Sequence, residues 1–193
     1  MILRNTVDLC TDPGPRLDTA RIRWIVLHRI SLARETVANP HPVGDLDLDG
    51  PALAGRFRNT GLGTGGRCPY HFLVRRGGDI DQMLSLSQRG AHDKNYNGRS
   101  VAIACAGDMR EDALTGLQHA ALVELLTRLV TGLGGPAIVG HTALPGASAD
   151  PGKVCPGKRL AVLSLAAVVT KALPDDWRTN EDAKIDALDG FVL

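Results

Sequence analysis

Residues 22–28, Ile-Arg-Trp-Ile-Val-Leu-His, form a nearly unbroken apolar run that closes on an imidazole. Such a run, with little alternation, predicts a strand buried on both faces. Ser100 to Ala106 predicts another buried strand, and Ala137-Ile-Val-Gly-His141 a third. Between them, Tyr70–Arg76 and Ile80–Met83 flank Gly77-Gly78-Asp79 and read as a hairpin across a glycine turn. Thr115 predicts the cap of a helix whose apolar positions 117, 121, 122, 125, 126 and 129 keep the helical period, ending near Gly134-Gly135. Residues 159–173 predict a last helix stopped by Pro174. Pro51 stands where a short helix would begin. The polar stretch 31–49 reads as a long loop, and Gly61–Gly66 as a flexible rim. The expected architecture is α/β: one domain with a mixed central β-sheet packed by about three α-helices. That domain would span 1–174, with its core at 20–173. The tail 175–193 is polar and acid-rich until Phe191-Val-Leu, and is expected to be partly ordered at best.

Composition narrows the function. A chain of 193 residues that is 44% hydrophobic can bury one substantial core. The net charge of +1 gives no general attraction to nucleic acid or anionic membrane, and the 17 arginines are scattered rather than grouped in a stripe. No basic region followed by a long apolar run opens the chain, and no window approaches the roughly 18 apolar residues of a membrane span. Synthesis in the cytoplasm is the expectation. Cys10, Cys68, Cys105 and Cys155 form no CxxC pair, and free thiols are expected. Cys105 reads as core packing, as does Cys68 despite lying near Tyr70.

Candidate chemistry gathers at two strand ends. His28 closes the first strand and His141 the third, and Cys155 follows in Lys153-Val-Cys-Pro-Gly. Imidazole and thiolate are ligands that zinc favours, and three of them leave a fourth tetrahedral position for water, as in a catalytic site. A lysine beside them can stabilise developing negative charge. Each residue alone has a plainer reading: strand-end histidines are often hydrogen-bonded core residues, and a lone cysteine packs. Asp45-Leu-Asp-Leu-Asp-Gly50 echoes a calcium loop, but Arg56 stands where the bidentate glutamate belongs.

Taken in order, Ile25-Val-Leu-His28, Pro69-Tyr-His-Phe-Leu-Val, Gly77-Gly-Asp-Ile, Gly90-Ala-His-Asp-Lys-Asn-Tyr-Asn, Ser100-Val-Ala-Ile, Gly140-His141 and Asp150-Pro-Gly-Lys-Val-Cys-Pro-Gly157 carry a resemblance. The chain resembles the type 2 N-acetylmuramoyl-L-alanine amidases, a zinc family that includes a small phage lysozyme and the peptidoglycan recognition proteins. The resemblance covers roughly residues 20 to 170. It implies one catalytic Zn²⁺ held by His28, His141 and Cys155. The substrate it implies is the peptidoglycan amide between the lactyl group of N-acetylmuramic acid and L-alanine. It gives Lys153 an oxyanion-stabilising role, and Tyr70 either that role or the orientation of the attacking water. His92 matches a family histidine that touches substrate or supports the site; the other reading is a solvated loop residue. His71 is expected to be structural, and His41 and His119 are not expected to be ligands.

Departures from the family pattern matter too. Arg29 follows His28, where it would bind a substrate carboxylate or face solvent. Ala104 stands where some relatives carry an acidic residue, so that position offers no general base. Asp150 competes with Cys155 as third ligand, since some relatives use an aspartate; the Lys-Val-Cys-Pro-Gly context favours the thiolate. The implied activity is endolysin-like cell-wall lysis, after release or translocation; the alternative is a non-catalytic peptidoglycan-binding module. A monomer is expected, and no feature singles out a polymerase-binding surface.

Overall fold

The computed structural model describes residues 2–5, 15–30, 53, 68–107, 109, 112–147 and 155–193. The expected helix at Pro51, the Gly61 rim, the acidic loop 45–50, and Cys10, His41, Asp150 and Lys153 lie outside the described residues.

Among the described residues, six strands form one sheet: β1 (Ile2–Asn5), β2 (Trp24–Arg29), β3 (Phe72–Val74), β4 (Asp79–Gln82), β5 (Ser100–Cys105) and β6 (Ala137–Gly140). Their spatial order is β1-β4-β3-β5-β2-β6. The sheet is mixed: β3 and β4 pair antiparallel as the expected hairpin, and every other pairing is parallel. Parallel β2, β5 and β6 therefore end on the same side, the usual place for a ligand crevice in a sheet of this kind.

Alternation along the strands gives each face a different cargo. Ile25, Leu27, Val101, Ile103 and Cys105 join the main core, with Leu122, Leu125, Leu126 and Leu129 of helix α1 (Gly116–Gly132). The thiol of Cys105 is pushed up to about 12, first by burial and then by Cys155. It is an inert packing group. The opposite face carries Trp24, Val26 and His28, with Leu73, Ala102 and Ala104 beside them.

Thr115 caps α1 as its sequence implies: its hydroxyl accepts the Gln118 N–H at 3.0 Å and donates to Arg76 O at 2.7 Å. The last predicted helix is α2 (Val162–Ala172), three residues shorter at its start because 157–160 form a turn instead.

Two elements differ from expectation. β1 extends the sheet by pairing with β4, which the short stretch Ile2–Asn5 gave no pattern to predict. The C-terminal segment is not a loose tail. It forms helix α3 (Glu181–Leu188), capped by Asn180, and packs on α1. Trp177 and Phe191 are buried in the main core, and Gln82 holds Val192 by both its N–H and its carbonyl. Gly135 sits at φ 90° with the Trp177 ring where a Cβ would be, so only glycine fits there.

Candidate metal centre

His28 is the second-last residue of β2, and its side chain is almost wholly buried. His141 follows β6 directly, opening a short 3-10 turn. Cys155 is brought to the same end by the Thr142 N–H and hydroxyl, which donate to Cys155 O at 3.0 and 2.9 Å. Gly140 permits this approach, because a Cβ there would meet Pro156 Cδ at 2.8 Å. One nitrogen of each imidazole and the Cys155 sulfur then lie within 4.8 Å of one another.

The surrounding hydrogen bonds fix which nitrogens face inward. Ser100 Oγ donates its only proton to Tyr96 O at 2.7 Å, so it accepts from His92 Nε2 at 2.9 Å. His92 Nδ1 is therefore the acceptor of a proton carried by His28 Nε2, 3.1 Å away. That leaves the lone pair on His28 Nδ1, which stands 3.6 Å from Cys155 Sγ. His141 Nε2 lies 3.2 Å from Asp93 Oδ2; a carboxylate can only accept, so His141 also presents Nδ1.

Burial first, then the neighbouring His92 and His141, holds the His28 pKa well below 6.5, so the ring is neutral at pH 7. His92 is lowered in the same way, by burial and then by His71 and His141. Two imidazoles, each tied at its far nitrogen, and a sulfur fit a tetrahedral zinc site with one position left over.

Other expected residues fall into place around this centre. The Tyr70 ring is buried with its centroid 5.2 Å from that of His28. His92 supports His28 from behind and is no solvated loop residue. His71 is structural: its Nδ1 accepts the Ala102 N–H at 3.1 Å and its Nε2 donates to Gln88 O at 2.9 Å. His119 is exposed on α1, and Cys68 packs in the small core beside Tyr70. Strand alternation directs Arg29 to the other face from His28. Asp93 and Ser100 were not singled out by sequence reasoning. Their signal was proximity to His92 within two motifs already read as significant.

The profile of the N-acetylmuramoyl-L-alanine amidases matches residues 18–158, which contain all three members of the triad. The chain belongs to this amidase family. No curated protein matches its sequence. Among solved structures it is similar to the N-acetylmuramoyl-L-alanine amidase LysC from Clostridium intestinale URNW, with TM-score 0.64 and 18% identity over 90% of this chain and 99% of that one. The Ph2119 endolysin from the Thermus scotoductus MAT2119 bacteriophage Ph2119 gives TM-score 0.65 and 21% identity, over 86% and 98%. Drosophila peptidoglycan recognition protein SD gives 0.62 and 21%, over 85% and 94%. At these identities the likeness shows a shared fold.

Proposed function

We propose that the chain is a zinc-dependent N-acetylmuramoyl-L-alanine amidase acting on peptidoglycan in the manner of an endolysin. The bond cut is the amide between the lactyl group of N-acetylmuramic acid and the L-alanine of the stem peptide. The observation that carries this reading is the triad of His28, His141 and Cys155 with both imidazole tautomers already set for a metal. When bound there, Zn²⁺ supplies Lewis acidity toward the scissile carbonyl and lowers the pKa of water toward neutrality.

The protein's own groups do the rest. His92 and Asp93 hold the protons on the outer nitrogens of His28 and His141, so neither ring needs to turn or lose a proton to ligate. Tyr70, with its ring against His28, donates its hydroxyl to the oxyanion of the tetrahedral intermediate or orients the water. Lys153, two residues before Cys155 in sequence, is assigned to the same oxyanion. The thiolate of Cys155, rather than Asp150, is taken as third ligand because it already faces His28 Nδ1.

A recognition module that binds without cutting is the second reading, favoured by the likeness to peptidoglycan recognition proteins. Digestion of purified peptidoglycan with mass analysis separates the two. Free stem peptides beginning with L-alanine, lost on chelation, restored by zinc and absent with Cys155→Ala, are expected. Binding of zinc and peptidoglycan with no peptide released would leave the recognition module.

A further inference from the structure

The two outer partners of the imidazoles are neighbours in sequence. His92 backs His28 and Asp93 backs His141, and both hang from one turn, residues 90–97. One oxygen gathers the backbone groups of both residues. Asn97 Oδ1 accepts the backbone N–H of His92 at 3.0 Å and that of Asp93 at 2.8 Å. Two successive N–H groups converging on one acceptor set the plane of the peptide between them, and with it the directions of both side chains. The Asn97 N–H returns to Asp93 O at 2.8 Å, closing the loop on itself. Asp93 is held at its other oxygen as well, where Oδ1 takes the Asn95 N–H at 2.9 Å and leaves Oδ2 for His141. At the head of the turn, Gly90 lies so close to Pro69 O that a Cβ would collide with it, which anchors the turn against the segment carrying Tyr70.

We propose that Asn97 is a positioning residue for the metal centre: one side-chain carbonyl that sets the tautomer and orientation of both imidazole ligands at once. The inference rests on the reading of the triad as a zinc site. It makes a demand that simple structural support does not, namely that one substitution, touching neither ligand, disturbs His28 and His141 together. Asn97→Leu removes the acceptor at similar volume, and Asn97→Asp keeps an oxygen in its place.

The test has two readouts. Long-range nitrogen–proton NMR spectra of the metal-free protein report which nitrogen of each imidazole carries the proton. Chelator competition reports zinc affinity. In the parent protein both His28 and His141 are expected as the Nε2–H form. Asn97→Leu is expected to mix the tautomers at both rings and to weaken zinc binding by about 10- to 100-fold, the range found for outer partners of metal ligands. Asn97→Asp is expected to keep parent tautomers and near-parent affinity. Should Asn97→Leu not fold, Asn97→Ala carries the same expectation. Parent tautomers and affinity in a folded variant lacking the oxygen would overturn the proposal, as would a loss in Asn97→Asp equal to that in Asn97→Leu. A parent protein that shows the expected tautomers but binds no zinc would overturn the zinc reading instead, leaving the tautomers alone to judge Asn97.

Discussion

Two imidazoles and a sulfur that face one another attract a cation only when their inward atoms carry no proton. In this chain the two imidazoles meet that condition through side chains at one remove. The row from His28 through His92 and Ser100 to Tyr96 O runs donor to acceptor in one direction only. Ser100→Ala breaks it by leaving the His92 Nε2–H without its acceptor. A buried donor stranded in this way costs about 1–3 kcal/mol, so urea unfolding of the metal-free variant is expected to show a loss of that order. Tyr70→Phe makes the opposite kind of change. It keeps the ring against His28 and removes only the hydroxyl, so zinc content is expected to be unchanged while kcat on peptidoglycan falls roughly 100-fold or more. Equal kcat would remove Tyr70 from the oxyanion. His28, His141 and Cys155 were legible in the sequence because each is a ligand type placed at a strand end or in a glycine-proline loop. Asp93 and Asn97 were not, since a turn of polar residues reads as solvated until its hydrogen bonds are seen to point inward.

Among the elements, those with a period or a signal were legible. β2 and β5 announced themselves as apolar runs, and α1 by a threonine cap and leucines on one stripe. β1 and α3 carry no such mark: one is four residues long, and the other buries no residue fully on its own. Their places are set by tertiary partners instead. Arg128 of α1 lies over the Phe191 ring and donates to Ala187 O and Asp189 O, while Phe72 meets Phe191 edge to face. The segment whose composition predicts partial order at best thus contributes Trp177 and Phe191 to the core. Ending the chain at Pro174 removes Trp177 and Phe191, each worth about 1.5–3 kcal/mol when buried. The shortened protein is expected to lose several kcal/mol in urea unfolding, with Phe72 newly open to solvent. An unchanged midpoint would show that the docked segment contributes nothing to the fold.

The whole molecule responds to pH through histidines that the fold keeps neutral. His71 is lowered from 6.5 to about 4, mainly by burial, with its bond to Gln88 O opposing the shift. His28 and His92 are displaced in the same direction. In the unfolded chain these rings take up protons as pH falls below about 6.5, while in the folded chain they do not. The unfolded state then binds more protons than the native state, so stability falls as the solution is acidified. For His71 the loss begins near pH 6.5 and is complete once pH has passed below about 4, where both states are protonated. A displacement of that size corresponds to roughly 3 kcal/mol from this one ring. The metal-free protein is therefore expected to be equally stable at pH 8 and pH 7, then to weaken steadily between pH 6.5 and 4 in urea unfolding. On the proposed reading, bound zinc would steepen the dependence, because metal affinity falls as protons compete for the ligands. A metal-free stability that stays level from pH 7 to pH 5 would mean that these rings take up protons without unfolding, and that burial does not keep them neutral.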